Sequence, residues 1–151
     1  DFYYTDFTGD PARCRRALEY ALDSTWALVT DCPDCYDSLA HIVYPLRYMA
    51  RDGQELSLAD YEERVRAIFT QVARTDHALE VNTDRGRALA VWPEVLGWFR
   101  DCGGRYVTVG SDAHRPQDVA EGIRRGTELV RRAGFAGLTT FVRRRPVIHP
   151  F

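Results

Sequence analysis

The chain is 151 residues long, with 45% hydrophobic residues, 28% charged residues and a formal net charge of −2, the make-up of one soluble globular domain with a real hydrophobic core. That charge gives no electrostatic case for non-specific nucleic-acid binding, and the sequence contains no apolar run of the roughly eighteen residues that a membrane span requires. All 20 basic residues are arginine, a bias that suits bidentate phosphate recognition without itself indicating a function.

Residues 2–8 are aromatic and polar without a clear period, and Gly9-Asp10-Pro11 punctuates them. Pro11 suits the first turn of a helix with Asp10 as its cap, and Ala17, Leu18, Ala21, Leu22 and Ala27 continue it to about residue 28. Residues 37–43, Asp-Ser-Leu-Ala-His-Ile-Val, predict a short buried strand. Ser57 followed by Asp60 and Glu63 opens a second helix, carried on by Tyr61, Val65, Ile68, Phe69 and Val72. Residues 78–82 form the next predicted strand. Trp92-Pro93-Glu94 starts a third helix, which Cys102-Gly103-Gly104 ends. Residues 106–109 are a β-branched strand, residues 116 to about 133 a fourth helix closed by Gly134, and residues 138–142 a last strand. The triplet Arg143-Arg144-Arg145 after it is expected on a solvated rim, and the three tryptophans in the core.

Strand and helix thus alternate four times, which predicts an α/β fold with a parallel sheet or barrel. Functional groups in such folds gather at the C-terminal ends of the strands. His41 falls near the end of the first strand, Glu80 and Asn82 on the second, and Asp112 and His114 just beyond the third.

The segment Val109-Gly110-Ser111-Asp112-Ala113-His114 carries the sharpest signal. Side chains at i and i+2 of an extended segment point the same way, so Asp112 and His114 can converge on one cation. A carboxylate with an imidazole suits Zn, Mn or Fe better than Ca or Mg. The competing interpretation is a capping Asp and a surface His in a strand-to-helix loop. His77 precedes a strand and is expected at the surface or in a turn, and His149 near the C-terminus is expected to be inert. Cys32-Pro33-Asp34-Cys35 is a CxxC without a second cysteine or histidine pair. Its thiols, with Cys14 and Cys102, are therefore expected to be unpaired in a reducing cytoplasm.

Taken together, Asp37-Ser38-Leu39-Ala40-His41, Leu79-Glu80-Val81-Asn82-Thr83 and Gly110-Ser111-Asp112-Ala113-His114 resemble the polymerase-and-histidinol-phosphatase (PHP) family, most closely its histidinol-phosphatase branch. The resemblance runs from about residue 12 to residue 142. It implies a distorted (β/α)7 barrel, up to three divalent metals (Zn, Mn or Fe) at the strand ends, and metal-assisted hydrolysis of a small phosphate monoester. It makes His41, Asp112 and His114 metal ligands, with Asp112 and His114 the catalytic pair. Arg47 and Arg87 look like the arginines that clamp substrate phosphate, with Asn82 beside them on the substrate side. A guanidinium fork matches phosphate oxygens and stays charged at any working pH.

The family opens with a His-x-His on its first strand, and this sequence has histidines only at 41, 77, 114 and 149. It also has Arg85 where a Gly is usual, so a rearranged phosphate loop is expected. With Asp1 as its first residue and no initiator Met, the chain is expected to be the C-terminal portion of a PHP barrel, a single domain incomplete at its N-terminus. It should be inactive alone and either joined to further chain or self-associating. Two alternatives stay open: a PHP phosphoesterase for another substrate (a sugar phosphate, a phosphotyrosine or a nucleic-acid end), and a non-catalytic α/β binding module.

Overall fold

Asp10 and Pro11 do open a helix in the computed structural model, which describes residues 2–151. The Asp10 carboxylate accepts a hydrogen bond from Arg13 N at 2.8 Å, satisfying one of the amides a helix start leaves free. Helix α1 (Pro11–Asp31) then buries Cys14, Leu18, Leu22 and Val29 along one stripe. Trp26 lies off that stripe and is 42% exposed, whereas Trp92 and Trp98 are buried, so the expectation of three core tryptophans holds for two.

The predicted strand at 37–43 shrinks to β1 (Ser38–Leu39). His41 ends it by adopting φ +67°, a left-handed conformation that no strand can continue through. Helix α2 (Tyr44–Arg51) follows, with Pro45 in its first turn and Met49 fully buried. Ser57 caps a 3-10 turn by accepting from Ala59 N at 3.2 Å, and α3 (Glu62–Arg74) buries Val65, Ile68, Phe69 and Val72. Strand β2 (Ala78–Asn82), helix α4 (Trp92–Asp101) and strand β3 (Tyr106–Gly110) match the predicted elements.

The three strands form a parallel sheet in the order β1-β2-β3, with Ser38 opposite Ala78, Glu80 opposite Thr108 and Asn82 opposite Gly110. Because side chains alternate across a strand, Leu39, Leu79, Val81 and Val107 share one face. They are buried in a single core with the apolar stripes of α1, α3 and α4. The opposite face carries Ser38, Glu80, Asn82 and Thr108, and Ser38 Oγ and Thr108 Oγ1 hydrogen bond across β2 at 2.8 Å.

Two predictions near the C-terminus need correction. The fourth helix begins late: Pro116–Asp118 makes one 3-10 turn, and α5 (Ile123–Arg132) starts after Gly122, whose φ of +78° breaks the run. Strand β4 (Gly137–Val142) does not continue the parallel ladder but pairs antiparallel with β5 (Arg145–Pro150). Arg143 and Arg144 form the turn at φ +50° and +64°, the positive pair that a two-residue hairpin turn requires. The arginine triplet is therefore a hairpin turn and the start of β5. Strand β4 still lies beside β3, held there by Val107 N donating to Thr139 Oγ1 at 3.2 Å. Among the described residues, no helix is long and apolar enough to cross a membrane.

Candidate functional site

Two residues beyond the end of each parallel strand lies a residue in the left-handed region. His41 follows β1 at φ +67°, Asp84 and Arg85 follow β2 at +43° and +55°, and Asp112 follows β3 at +58°. Each such non-glycine residue costs on the order of 1 kcal/mol or more and persists only where its surroundings hold it. Here the loops are zipped together: Thr83 N donates to Gly110 O at 2.9 Å and Arg85 N to Ser111 O at 2.8 Å. Helix α5 closes on them through its glycines, since a Cβ on Gly122 would lie 2.6 Å from both Gly86 N and Thr83 Oγ1.

Asp84 is the hub. Its Oδ1 accepts from Arg87 Nη2 at 2.7 Å and Arg85 Nη2 at 2.8 Å, and Arg47 Nη1 lies 3.5 Å away. Burial alone would raise this carboxyl, but Arg87, Arg85 and Arg47 outweigh it and hold it below the usual carboxylate range. Arg47 also donates to Asp112 Oδ2 at 2.7 Å. Asp112 is likewise held low, because that bond overcomes the effect of burial. The Arg47 guanidinium sits 4.9 Å from the Tyr44 ring centroid. The Tyr44 hydroxyl, desolvated and hydrogen bonded to Tyr48, is pushed up to about 12.

Asn82 is buried and spends its side-chain oxygen on Asp84 N at 2.9 Å, while its backbone oxygen accepts from Trp92 Nε1 at 3.1 Å. It thereby shapes the loop that presents Asp84. Glu80 lies deeper on the same face, and its Oε2 is buried with no hydrogen-bond partner. Burial pushes this carboxyl up against the pull of His41 and Arg47. Gly110 makes room for it, since a Cβ there would lie 2.8 Å from Glu80 Oε1.

A cavity of about 350 Å³ opens among these groups, with His41, Tyr44, Arg47, Asn82, Asp84 and Arg87 on its polar wall. Val43, Leu46 and Trp92 line the apolar side. Its size and mixed lining suit a small molecule with one charged end. The structure therefore gathers His41, Arg47, Asn82 and Arg87 around one space, with Asp112 joined to them through Arg47. His114 stands apart: it is exposed, and its Nδ1 lies 2.8 Å from the Asp112 backbone oxygen. Among the described residues, no three His, Cys, Asp or Glu side chains converge as a metal site. The donors at hand have the right chemistry for Zn, Mn or Fe but do not complete a site by themselves.

Sequence reasoning missed Asp84 and Tyr44. The alternation of Asp84, Arg85 and Arg87 directly after a strand was the available signal for the first. For the second it was Tyr44, Arg47 and Tyr48 at helical spacing.

The fold and site define a mixed α/β protein with an arginine–carboxylate cluster at the C-terminal ends of its parallel strands. The chain is similar in sequence to histidinol-phosphatases. It is 29% identical over 109 residues to "Histidinol-phosphatase" of Lactococcus lactis, covering 70% of this chain and 40% of that protein. It is 34% identical over 92 residues to "Probable histidinol-phosphatase" of Thermotoga maritima, covering 58% of this chain and 37% of that protein. The fold matches the crystal structure of histidinol phosphate phosphatase from Lactococcus lactis complexed with Zn, L-histidinol and phosphate. The TM-score is 0.75 at 23% identity, over 97% of this chain and 54% of that one. No family model matches the chain. The chain thus spans about 40% of the length of the curated relatives it matches.

Proposed function

We propose that this chain is the C-terminal portion of a metal-dependent phosphomonoesterase of the PHP type, a distorted (β/α)7 barrel when complete, whose substrate is histidinol phosphate. The observation that carries the proposal is the cavity walled by Arg47 and Arg87 next to His41 and Asp112. The matched enzyme of known structure holds Zn, L-histidinol and phosphate, which supports the same substrate class here.

In this reading Arg87, 62% exposed, and Arg47 hold the phosphate, and Asp84 keeps both guanidinium groups aimed into the cavity while no ester is bound. Arg85 stands where the family usually has Gly, yet at φ +55° it keeps the backbone a glycine would supply. The loop therefore needs no rearrangement. Asn82 fixes that loop through its bond to Asp84 N and lines the cavity on the substrate side. His41, Asp112 and His114 are this chain's contribution to sites for Zn, Mn or Fe, up to three ions in the complete enzyme. A divalent cation supplies positive charge for phosphoester hydrolysis. The remaining donors lie outside these 151 residues, so the isolated chain is expected to be inactive. The free cysteines accord with a cytoplasmic location. The unpaired edge of the two-residue β1 favours self-association of the isolated chain.

The test is Arg47→Ala and Arg87→Ala in an upstream-extended protein, assayed on histidinol phosphate, a sugar phosphate and a phosphotyrosine peptide. The unsubstituted protein is expected to prefer histidinol phosphate, and each variant to lose about a hundredfold or more on it. Equal turnover of all three esters by the unsubstituted protein would overturn the substrate assignment, and no loss in either variant would overturn the arginine roles.

A further inference from the structure

The turn joining α1 to β1 carries two thiols that the phosphoester site does not use. Cys32 ends α1 by donating its N–H to Leu28 O at 3.1 Å, and Cys35 N donates to Cys32 O at 3.0 Å across the single 3-10 turn Pro33–Cys35. A turn of this kind brings its first and fourth Cα atoms within about 7 Å, close to the span a disulfide bridges. Both residues are exposed. The other cysteines are less available: Cys14 is buried, and Cys102 directs its thiol to Arg66 O at 3.5 Å.

A second element completes the turn. Arg144, from the β4–β5 hairpin, donates to Asp37 Oδ1 at 2.9 Å and to Tyr36 O at 3.1 Å, and His77 packs on Tyr36 at 4.4 Å between ring centroids. The neighbouring Cys35, ahead of desolvation and the Asp31 charge, pushes the Cys32 thiol up.

We propose that Cys32 and Cys35 are a redox-active dithiol that closes to an intramolecular disulfide by exchange with a low-molecular-weight disulfide. The thiolate of one cysteine bonds to one sulfur of the small disulfide and breaks its S–S bond, expelling one thiolate. The other cysteine then gives its proton to solvent and bonds to that cysteine's Sγ, expelling the second thiolate. Two electrons pass from the dithiol to the small disulfide, which leaves as two thiols after protonation. The closed loop is only one turn long, so the bond removes little chain entropy and its effect is chemical. The site does not rest on the phosphatase reading.

The test is to equilibrate the full chain with oxidised and reduced glutathione at graded ratios, alkylate the free thiols and map them by mass spectrometry. Loss of two hydrogens with protection of Cys32 and Cys35 alone is expected. Cys32→Ser should trap one glutathione on Cys35 and Cys35→Ser one on Cys32, with no crosslink in either. Cys32 and Cys35 both still alkylatable in excess oxidised glutathione, or glutathione on both sulfurs without a crosslink, would overturn the dithiol.

Discussion

Arg47 Nη1 donates to Asp112 Oδ2 at 2.7 Å, a bond that ties α2 to the loop beyond β3 across 65 residues of sequence. The same guanidinium lies over Tyr44 and near Asp84, and its side chain is only 19% exposed. Arg47→Ala should therefore destabilise the fold by about 1–3 kcal/mol. Arg47→Lys keeps the charge but loses the fork and should fall between. Thermal unfolding reads both, and an unchanged midpoint for the alanine variant would show that the bond holds nothing.

Two glycines predict opposite outcomes. Gly122 has φ +78° and no room for a Cβ beside the backbone of Gly86, so Gly122→Ala should cost about 1–3 kcal/mol and displace α5 from the Thr83–Gly86 loop. Gly97, inside α4, would place its Cβ in open space, so Gly97→Ala should stabilise by about 0.5–1 kcal/mol. Denaturant midpoints of the two variants shifting in the same direction would contradict the packing described.

Acid should weaken the arginine cluster. The Asp84 carboxyl is held below its ordinary value because its arginines outweigh burial, so the unfolded chain takes up the proton first. The stability this provides is present above the ordinary carboxylate range near pH 4 and is lost as pH falls through the lower folded value. The stability gap between the wild type and Asp84→Asn should thus be widest at neutral pH and narrow on acidification. Asp52, held at about 2 by Arg51 and by Phe7 N–H, acts with the same sign and stays in both proteins. A gap constant from neutral pH to about pH 3 would show that Asp84 is not the titrating group.

The elements legible in the sequence are those whose burial repeats. Val65, Ile68, Phe69 and Val72 announce α3, and the run from Tyr106 to Val109 announces β3. What escaped was local backbone geometry that no apolar pattern encodes. His41 at φ +67° cuts β1 short and frees the chain for α2. Leu46 and Met49 at helical spacing after Pro45 were the overlooked trace of that helix. The β4–β5 hairpin hides because its positive-φ turn is made of two arginines rather than Asn-Gly, and because Pro146 and Pro150 disguise β5. At the site, residue types at strand ends indicated His41 and Asn82, and the family resemblance indicated Arg47 and Arg87. Asp84 escaped because its role comes from three arginines that meet only in space.

Metal content and metal-dependent release of phosphate from histidinol phosphate, measured on this chain beside a version extended upstream through further strands, test the phosphatase assignment most directly. Bound metal and turnover in the extended form alone are expected. Neither metal nor turnover in either form would contradict the assignment and favour a non-catalytic α/β module.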